Sequence, residues 1–352
     1  MAFCYDTHMA ASNHRIRQVN TYHHLISRIA HRVYFLKDEE RNDFVEMMRR
    51  VADFTGIKLV AWCILTNHFH ILAFLPEEVE LTEEEVLRRY GVLKGVVVRK
   101  KLEMQFAQWR EGGENGKERI QEELKKIKSR MYDVGEFMKI LKQWFTVEYN
   151  RRYAHVGTLW ESVYHDKVIK NEGESVARVA GYIHLNPIRA AATDRFDGYA
   201  WSSFTALKRG DNIALKGMRM IYGEDAEASE IAEAHGELMR RMLEEEKQKR
   251  AMEIAQKRAV GYEVPADPLT DEAMIAQATA HLERVIDESV VVNAMRKMRG
   301  RPADGREELE RRIIELRKMN PKIRVDAIAE ATGRPISTVY LYLKRMKQEK
   351  RF

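Results

Sequence analysis

A chain of 352 residues is long enough for two or three domains. Lys and Arg total 60 against 54 Asp and Glu, and the net charge of +6 weakly favours a polyanionic partner. The two cysteines, Cys4 and Cys63, are too few for a zinc finger and predict a reducing, cytoplasmic setting. No apolar stretch approaches the roughly 18 residues of a membrane span, so we expect no membrane partner.

The first 76 residues alternate between strand and helix patterns. The β-branched and aromatic residues of Thr21–Leu36 predict a strand followed by a turn. Between residues 37 and 56, apolar residues recur at helical spacing from an acidic start to Gly56, which predicts a helix. Two apolar strands follow, with Asn67 in the short turn between them. A strand, a helix and a strand hairpin indicate a compact α+β domain around a small sheet.

The stretch Leu81–Tyr153 has a helical and heavily charged pattern. Within it, residues 110–135 predict an insertion made of a glycine-rich polar loop and a charged, solvated helix. Extended structure is predicted for HVGTLWESVYHDKVI, and a helix from about Glu174 onward. We expect Pro187 to end that helix, because a residue before proline disfavours the α conformation.

The composition changes after YAWSSF (Tyr199–Phe204). Residues from about 225 to 298 are rich in Ala, Glu, Lys, Arg and Met at helical spacing, which predicts a helical connector. The last fifty residues predict three helices separated by NPK and TGRP, a pattern typical of a helix-turn-helix. We therefore expect a first domain at 1–208, a helical connector at 209–300 and a helix-turn-helix-like domain at 301–352.

Two histidines stand one residue apart inside the apolar strand HFHILAFLP. Strand side chains alternate between faces, so His68 and His70 point the same way and Phe69 points to the opposite face. Two neutral imidazoles at this separation can bind one divalent metal ion. The alternative is that both histidines face solvent without a ligand, and this short pattern alone does not decide between the two.

A second pair of polar residues lies on the helix before Pro187. Tyr182 and Asn186 are four residues apart and therefore share one helix face. Asn186 could give an amide oxygen to a metal ion, while Tyr182 presents a phenolic oxygen to the group that the metal polarises. The alternative is that Tyr182 is a half-buried packing residue and Asn186 a residue at the end of its helix.

Several separated motifs resemble those of one known family. NHFHILAFLP resembles the His-hydrophobic-His motif of the single-tyrosine HUH transposases, which are IS200-like. GYIHLNPIRAA followed by YAWSSF resembles the second signature of their REP-associated subgroup, and YNRRYAHVGTLWES is similar to a segment between the two. The order and rough spacing of the motifs also agree, across about residues 20–205.

This resemblance implies a ferredoxin-like α+β domain that nicks and rejoins single-stranded or hairpin DNA. It implies that Tyr182 is the nucleophile of a 5′-phosphotyrosine intermediate. It also implies that His68, His70 and Asn186 bind a divalent metal ion, Mg²⁺ or Mn²⁺. A phenol is a poor nucleophile at neutral pH, so a metal ion that polarises the phosphate is physically reasonable. Whether the protein mobilises DNA, and whether it is a monomer or a homodimer, stays open.

Other tyrosines and histidines receive lesser roles. Tyr149 is interpreted as a packing or base-stacking residue, because the residue four positions on is another tyrosine. His184 should face away from Tyr182, since two residues correspond to about 200° around a helix. No role is assigned to three further histidines: His23, His24 and His31.

Basic and hydroxyl residues in both parts of the chain are candidates for DNA contact: Arg28, Arg151, Arg152, Ser337, Thr338, Tyr342 and Arg345. The leading hypothesis is a metal-dependent DNA transposase. The alternative is a helix-turn-helix DNA-binding regulator whose first domain is not catalytic, although the intact residues of both polar pairs argue against lost chemistry. A sheet that binds RNA by stacking is a third hypothesis, but the strands lack its aromatic signature.

Overall fold

The computed structural model of this protein describes residues 18–30, 36–172, 174–259, 262–264, 267, 269–270, 272–285, 313 and 328. The chain divides into two compact units, Met1–Lys247 and Gln248–Phe352. The candidate site lies in the first of these units.

A four-stranded antiparallel sheet forms the centre of the first unit. Its strands are β1 (Thr21–Arg28), β2 (Lys58–Ile64), β3 (His68–Leu75) and β4 (His165–Ile169), in the order β2-β3-β1-β4. This is the strand order of a ferredoxin-like βαββαβ unit. The predicted α+β class and the predicted β2–β3 hairpin are confirmed.

One face of the sheet is covered by α1 (Asp38–Thr55) and α5 (Val134–Tyr153). The first turn of α1 is acidic, as the helix dipole favours, and Gly56 ends the helix in the left-handed region at φ 75°. The side chains of Phe44 and Phe145 are buried against this face of the sheet. The predicted helix between β1 and β2 is confirmed.

The opposite face is covered by α6 (Ser175–Arg189), whose Ala180 and Ile183 pack against β2 and β3. Two further helices, α7 (Ser203–Lys208) and α8 (Asn212–Tyr222), lie against β2. Gly217 of α8 lies so close to the strand that an added Cβ would stand 2.3 Å from the Leu59 carbonyl oxygen. Helices therefore lie on both faces of the sheet.

Three helices connect β3 to α5: α2 (Glu83–Lys94), α3 (Val96–Glu111) and α4 (Gly113–Lys128). The predicted glycine-rich loop is wrong, because Gly112 alone separates α3 from α4, Gly113 begins α4 at φ 65°, and Gly116 lies within α4. A glycine costs a helix about 1 kcal/mol, whereas burying an aliphatic side chain gains about 1.5–3 kcal/mol. The side chains of Ile120, Leu124 and Ile127 are buried on one face of α4, so their burial outweighs the glycine cost.

The remaining described helices are α9 (Ala228–Ala259) and α10 (Glu272–Val285), which confirm helical structure in the predicted connector. Beyond them the structure describes Ile313 and Ile328, both helical and buried. The helix-turn-helix stays a prediction. None of the described helices is long and apolar enough to cross a membrane.

Candidate active site

Strand β3 places two imidazoles on the sheet face that α6 covers. The ring centroids of His68 and His70 lie 5.1 Å apart in a T-shaped arrangement. Phe69 points to the other face, where it is fully buried and its ring centroid lies 4.7 Å from that of Phe44. The predicted alternation of this strand is confirmed.

Helix α6 brings a phenol ring to the histidines. The Tyr182 ring centroid lies 5.8 Å from that of His70 and 5.9 Å from that of His24, edge-on in both cases. The neighbouring Ala180 and Ile183 are buried against the sheet and fix the rotation of the helix. Tyr182 is consequently half-buried at the margin of this core, beside the imidazoles.

Asn186 lies one helical turn beyond Tyr182. Its Nδ2 donates to the Tyr182 carbonyl oxygen at 2.9 Å and to the Ile183 carbonyl oxygen at 3.4 Å. These two bonds engage the amide nitrogen, so Oδ1 is the atom of this side chain that remains for a metal ion.

Helix α6 does not end at Pro187, contrary to the prediction, but continues to Arg189. Proline lacks the N–H that would bond to the Ile183 carbonyl. The Asn186 amide reaches that same carbonyl, and Arg189 Nη1 donates to the Tyr182 carbonyl oxygen at 2.9 Å. The Asn186 amide is therefore the side-chain donor that stands in for the bond that proline removes.

The Nδ1 atom of each histidine on β3 has a hydrogen-bond partner. His68 Nδ1 lies 2.7 Å from Asn67 Oδ1. An amide oxygen only accepts, so His68 Nδ1 donates and its Nε2 keeps a lone pair. His70 Nδ1 lies 3.1 Å from His24 Nε2. Among the described residues, neither of these Nε2 atoms is both enclosed and without a hydrogen-bond partner. Imidazoles held at Nδ1 and open at Nε2 suit metal binding.

Burial keeps both of these histidines neutral. It lowers the pKa of His68 to about 4, and the nearby Arg28 cation adds to the effect. Burial likewise holds the pKa of His70 well below its usual range, reinforced by His24 and by neighbouring cations. Neutral imidazoles have the lone pair that a metal ion needs.

The described residues do not supply a third ligand of the acidic, thiol or imidazole type. Among the described residues, no three His, Cys, Asp or Glu side chains are grouped so that they could hold a metal ion. The third ligand would come from another residue type, and Asn186 Oδ1 has the oxygen that Mg²⁺ and Mn²⁺ prefer. The donor set of His68, His70 and Asn186 fits such an ion.

Two arginines lie close enough to His70 to lower its pKa. Arg28 pairs with His68 in the β1–β3 register, so this DNA-contact candidate lies on the site face. Arg189 was not identified from the sequence. Its guanidinium carbon stands 4.6 Å from the Tyr182 ring centroid, and Glu246 accepts from its Nε and Nη2 at 2.8 and 2.6 Å. Arg189 lies seven residues, or two helical turns, after Tyr182. This spacing is the sequence feature that could have placed Arg189 beside Tyr182.

His24 has a place in the site, although the sequence analysis assigned it no role. The residue is 4% exposed and hydrogen-bonded to His70. In the β1–β3 register it lies opposite Leu72, so it shares a face with His70. Side chains alternate along β1, so His24 and Arg28 share one face of the sheet. This alternation is the sequence feature that could have placed His24 in the site.

The structure does not bring Arg151 and Arg152 to this site. They lie at the C-terminal end of α5, the helix that covers the opposite sheet face. Arg151 pairs with Glu148, and Arg152 Nη2 lies 2.6 Å from Asp43 Oδ2. Four further DNA-contact candidates lie outside the described residues: Ser337, Thr338, Tyr342 and Arg345.

His184 points away from the site, as predicted, and joins a buried chain of hydrogen bonds. Its Nδ1 lies 2.8 Å from His235 Nε2, and its Nε2 lies 2.6 Å from Ser203 Oγ. The Tyr222 hydroxyl lies 2.8 Å from His235 Nδ1. The Trp62 N–H donates to Ser203 Oγ at 2.8 Å. This chain links α6 to β2, α7, α8 and α9.

A comparison with known protein families agrees with the motifs. The family model described as "Transposase IS200 like" matches residues 17–106, which include β1, β3 and the histidine pair. One similar solved structure is titled "Structure of the REP associates tyrosine transposase bound to a REP hairpin". It is 14% identical, covers 57% of this chain and 87% of its own, and has a TM-score of 0.37. No curated protein matches the chain in sequence. The family match confirms the resemblance that the motifs indicated: residues 17–106 are similar in sequence to the IS200-like transposases.

Proposed function

We propose that this protein nicks and rejoins single-stranded DNA, with Tyr182 as the nucleophile. The observation that supports the proposal most is the position of the Tyr182 ring, 5.8 Å from that of His70 on the sheet face that α6 covers. The IS200-like family match supports the reaction class.

In this proposal His68 Nε2, His70 Nε2 and Asn186 Oδ1 would hold Mg²⁺ or Mn²⁺. When bound, the ion supplies Lewis acidity that polarises the scissile phosphate and stabilises its developing charge. The neutral imidazoles and their engaged Nδ1 atoms support this ligand set.

The reaction would proceed by displacement at phosphorus. The Tyr182 oxygen forms a bond to phosphorus while the bond to the 3′ oxygen breaks; the phenol loses its proton and the 3′ oxygen gains one. The products are a 5′-phosphotyrosine and a 3′-hydroxyl, and the stored phosphodiester allows rejoining without ATP. The cations Arg28 and Arg189, which lie close to His70, would attract the DNA phosphates.

A labelled single-stranded DNA hairpin, incubated with the full-length protein and Mn²⁺ or Mg²⁺, tests the proposal. We expect a covalent protein–DNA adduct that survives denaturation. The adduct should not form when a chelator has removed the metal before DNA is added. Tight hairpin binding without any adduct would contradict the proposal and would favour a DNA-binding regulator instead.

A further inference from the structure

One buried hydrogen bond in the site joins two imidazoles. His24 Nε2 and His70 Nδ1 are 3.1 Å apart, and the two rings stack with centroids 5.3 Å apart and planes 29° apart. Each of the two side chains is only 4% exposed, and burial favours the neutral form of an imidazole. A neutral imidazole has one donor and one acceptor nitrogen, and the bond between the rings contains a single hydrogen.

The position of that hydrogen decides what His70 presents to the site. If His24 Nε2 donates, His70 Nδ1 is the acceptor and His70 Nε2 has the hydrogen, which prevents it from binding a metal ion. If His70 Nδ1 donates, His70 Nε2 keeps its lone pair. Only the second arrangement suits a metal ligand.

The proposed role of His70 as a ligand selects the second arrangement, because a metal ion binds an imidazole nitrogen through its lone pair. The other proposed histidine ligand, His68, already has this arrangement, because Asn67 Oδ1 can only accept a hydrogen bond. In the described chain, the imidazole of His24 is the hydrogen-bond partner of His70 Nδ1.

We propose that His24 is a positioning residue: it accepts a hydrogen bond from His70 Nδ1 and so keeps the His70 Nε2 lone pair available to a metal ion. Asn67 Oδ1 likewise accepts a hydrogen bond from Nδ1 of His68, which lies two residues before His70 on β3. This choice of tautomer rests on the proposed function, but the tautomer of His70 can be measured without metal and without DNA cleavage. His24 is not a ligand through Nε2, because that atom faces His70.

Contacts on both sides hold His24 in this position. Its ring stacks on His70, and the edge of the Tyr182 ring approaches it with centroids 5.9 Å apart. His24 is 4% exposed, which limits its rotation. Its neighbour His23 faces the other way and bonds to Asp166 Oδ1 at 2.9 Å. His23 therefore offers a matched control on the same strand.

Nitrogen-15 NMR of histidine-labelled, metal-free protein measures the tautomer directly. We expect His70 to have its hydrogen on Nδ1 in the unsubstituted protein. A finding of Nε2–H for His70 would overturn the proposal, whether or not any variant folds.

Substitutions test whether His24 is the cause. His24→Leu should shift His70 toward the Nε2–H tautomer and weaken Mn²⁺ binding by about 10- to 100-fold, as loss of a supporting partner usually does. His24→Gln supplies an amide oxygen as acceptor and should restore both properties. His23→Gln should change neither, and thermal melting verifies that each variant is folded.

The two proposals fail in different ways. A folded His24→Leu protein with unchanged tautomer and unchanged Mn²⁺ affinity would overturn the role of His24 while the proposed function stands. Absence of a covalent adduct from the unsubstituted protein would overturn the proposed function and leave the tautomer measurement unaffected.

Discussion

Tyr182 and Tyr149 differ in the side chains that surround their rings. The ring of Tyr182 faces His70 and the Arg189 guanidinium, whereas that of Tyr149 packs on Phe145 and on a second tyrosine. Burial raises the pKa of Tyr149, and a nearby carboxylate adds to the rise, so its phenolate is harder to form. These surroundings favour Tyr182 as the nucleophile.

The alternation of β3 gives its neighbouring residues opposite roles. His68→Ala and His70→Ala should each abolish metal-dependent cleavage of a hairpin while the protein stays folded. Phe69→Ala should lower the free energy of unfolding by roughly 3–5 kcal/mol, because it leaves a cavity under Phe44. Urea denaturation and a cleavage assay separate the two effects. Unchanged stability of the Phe69 variant would contradict the burial of its ring.

Local periodicity was sufficient to predict part of this site. The period of two places His68 with His70, and the period of 3.6 places Tyr182 with Asn186. His24 and Arg189 could not be assigned in the same way. The contact of His24 with His70 depends on the register between β1 and β3, and strand register is set by tertiary packing rather than by either strand alone.

Helix α6 shows how a local rule can be overridden. The helix continues past Pro187 to Arg189, and the Asn186 amide donates to the Ile183 carbonyl that lacks a backbone donor, at 3.4 Å. A proline rule considers backbone donors alone and does not anticipate replacement donors from side chains.

A double-mutant cycle tests this compensation. Pro187→Ala restores a backbone N–H for the Ile183 carbonyl, so the Asn186 amide is no longer needed there. Asn186→Ala should therefore cost about 1 kcal/mol more in the presence of Pro187 than in the Pro187→Ala protein. Equal costs, measured by urea denaturation, would show that the amide does not replace the missing donor.

The buried imidazole chain from Tyr222 to Ser203 makes stability dependent on pH. Burial holds the pKa of His184 well below its usual range and lowers that of His235 to about 4. Unfolded histidines titrate near about 6.5. Between about pH 6.5 and pH 4 the unfolded state binds more protons than the folded state. The stability that the neutral, buried histidines contribute is therefore fully present above about pH 6.5 and is lost as the pH falls.

The expected change can be measured by urea denaturation at about pH 7.5 and about pH 5. His235 alone should lower the free energy of unfolding by about 2 kcal/mol over that interval. His235→Gln removes one titrating group, so its stability should depend less on pH. An equal pH dependence in the variant would contradict a neutral, buried His235.

The first compact unit extends to Lys247 and so includes part of α9, while the domain boundary at residue 208 stays a prediction. In this unit, His235 bonds to His184 and Glu246 bonds to Arg189, so α9 supports the helix that bears Tyr182. The composition of α9 did not indicate this role. A helix that packs through one face can be charged on its other faces, and its sequence then resembles that of a connector.

Shortened proteins test the arrangement of the whole molecule. A protein that ends at Lys247 should still form the covalent adduct, but should bind DNA less tightly and with a shallower salt dependence, because the basic C-terminal segment is gone. A protein that ends near residue 210 should be less stable, because the partners of His184 and Arg189 are removed. Full stability of the shorter protein in thermal melting would contradict the support from α9.

The central claim is that Tyr182 forms the bond to DNA, and peptide mapping of the adduct tests it most directly. Trypsin should release the segment Val179–Arg189, in which Tyr182 is the sole tyrosine. Mass spectrometry should find a nucleotide on that peptide, and Tyr182→Phe should abolish the adduct while DNA affinity changes by no more than a few-fold. A nucleotide on the peptide that contains Tyr149, or an undiminished adduct in the Tyr182→Phe protein, would contradict the claim.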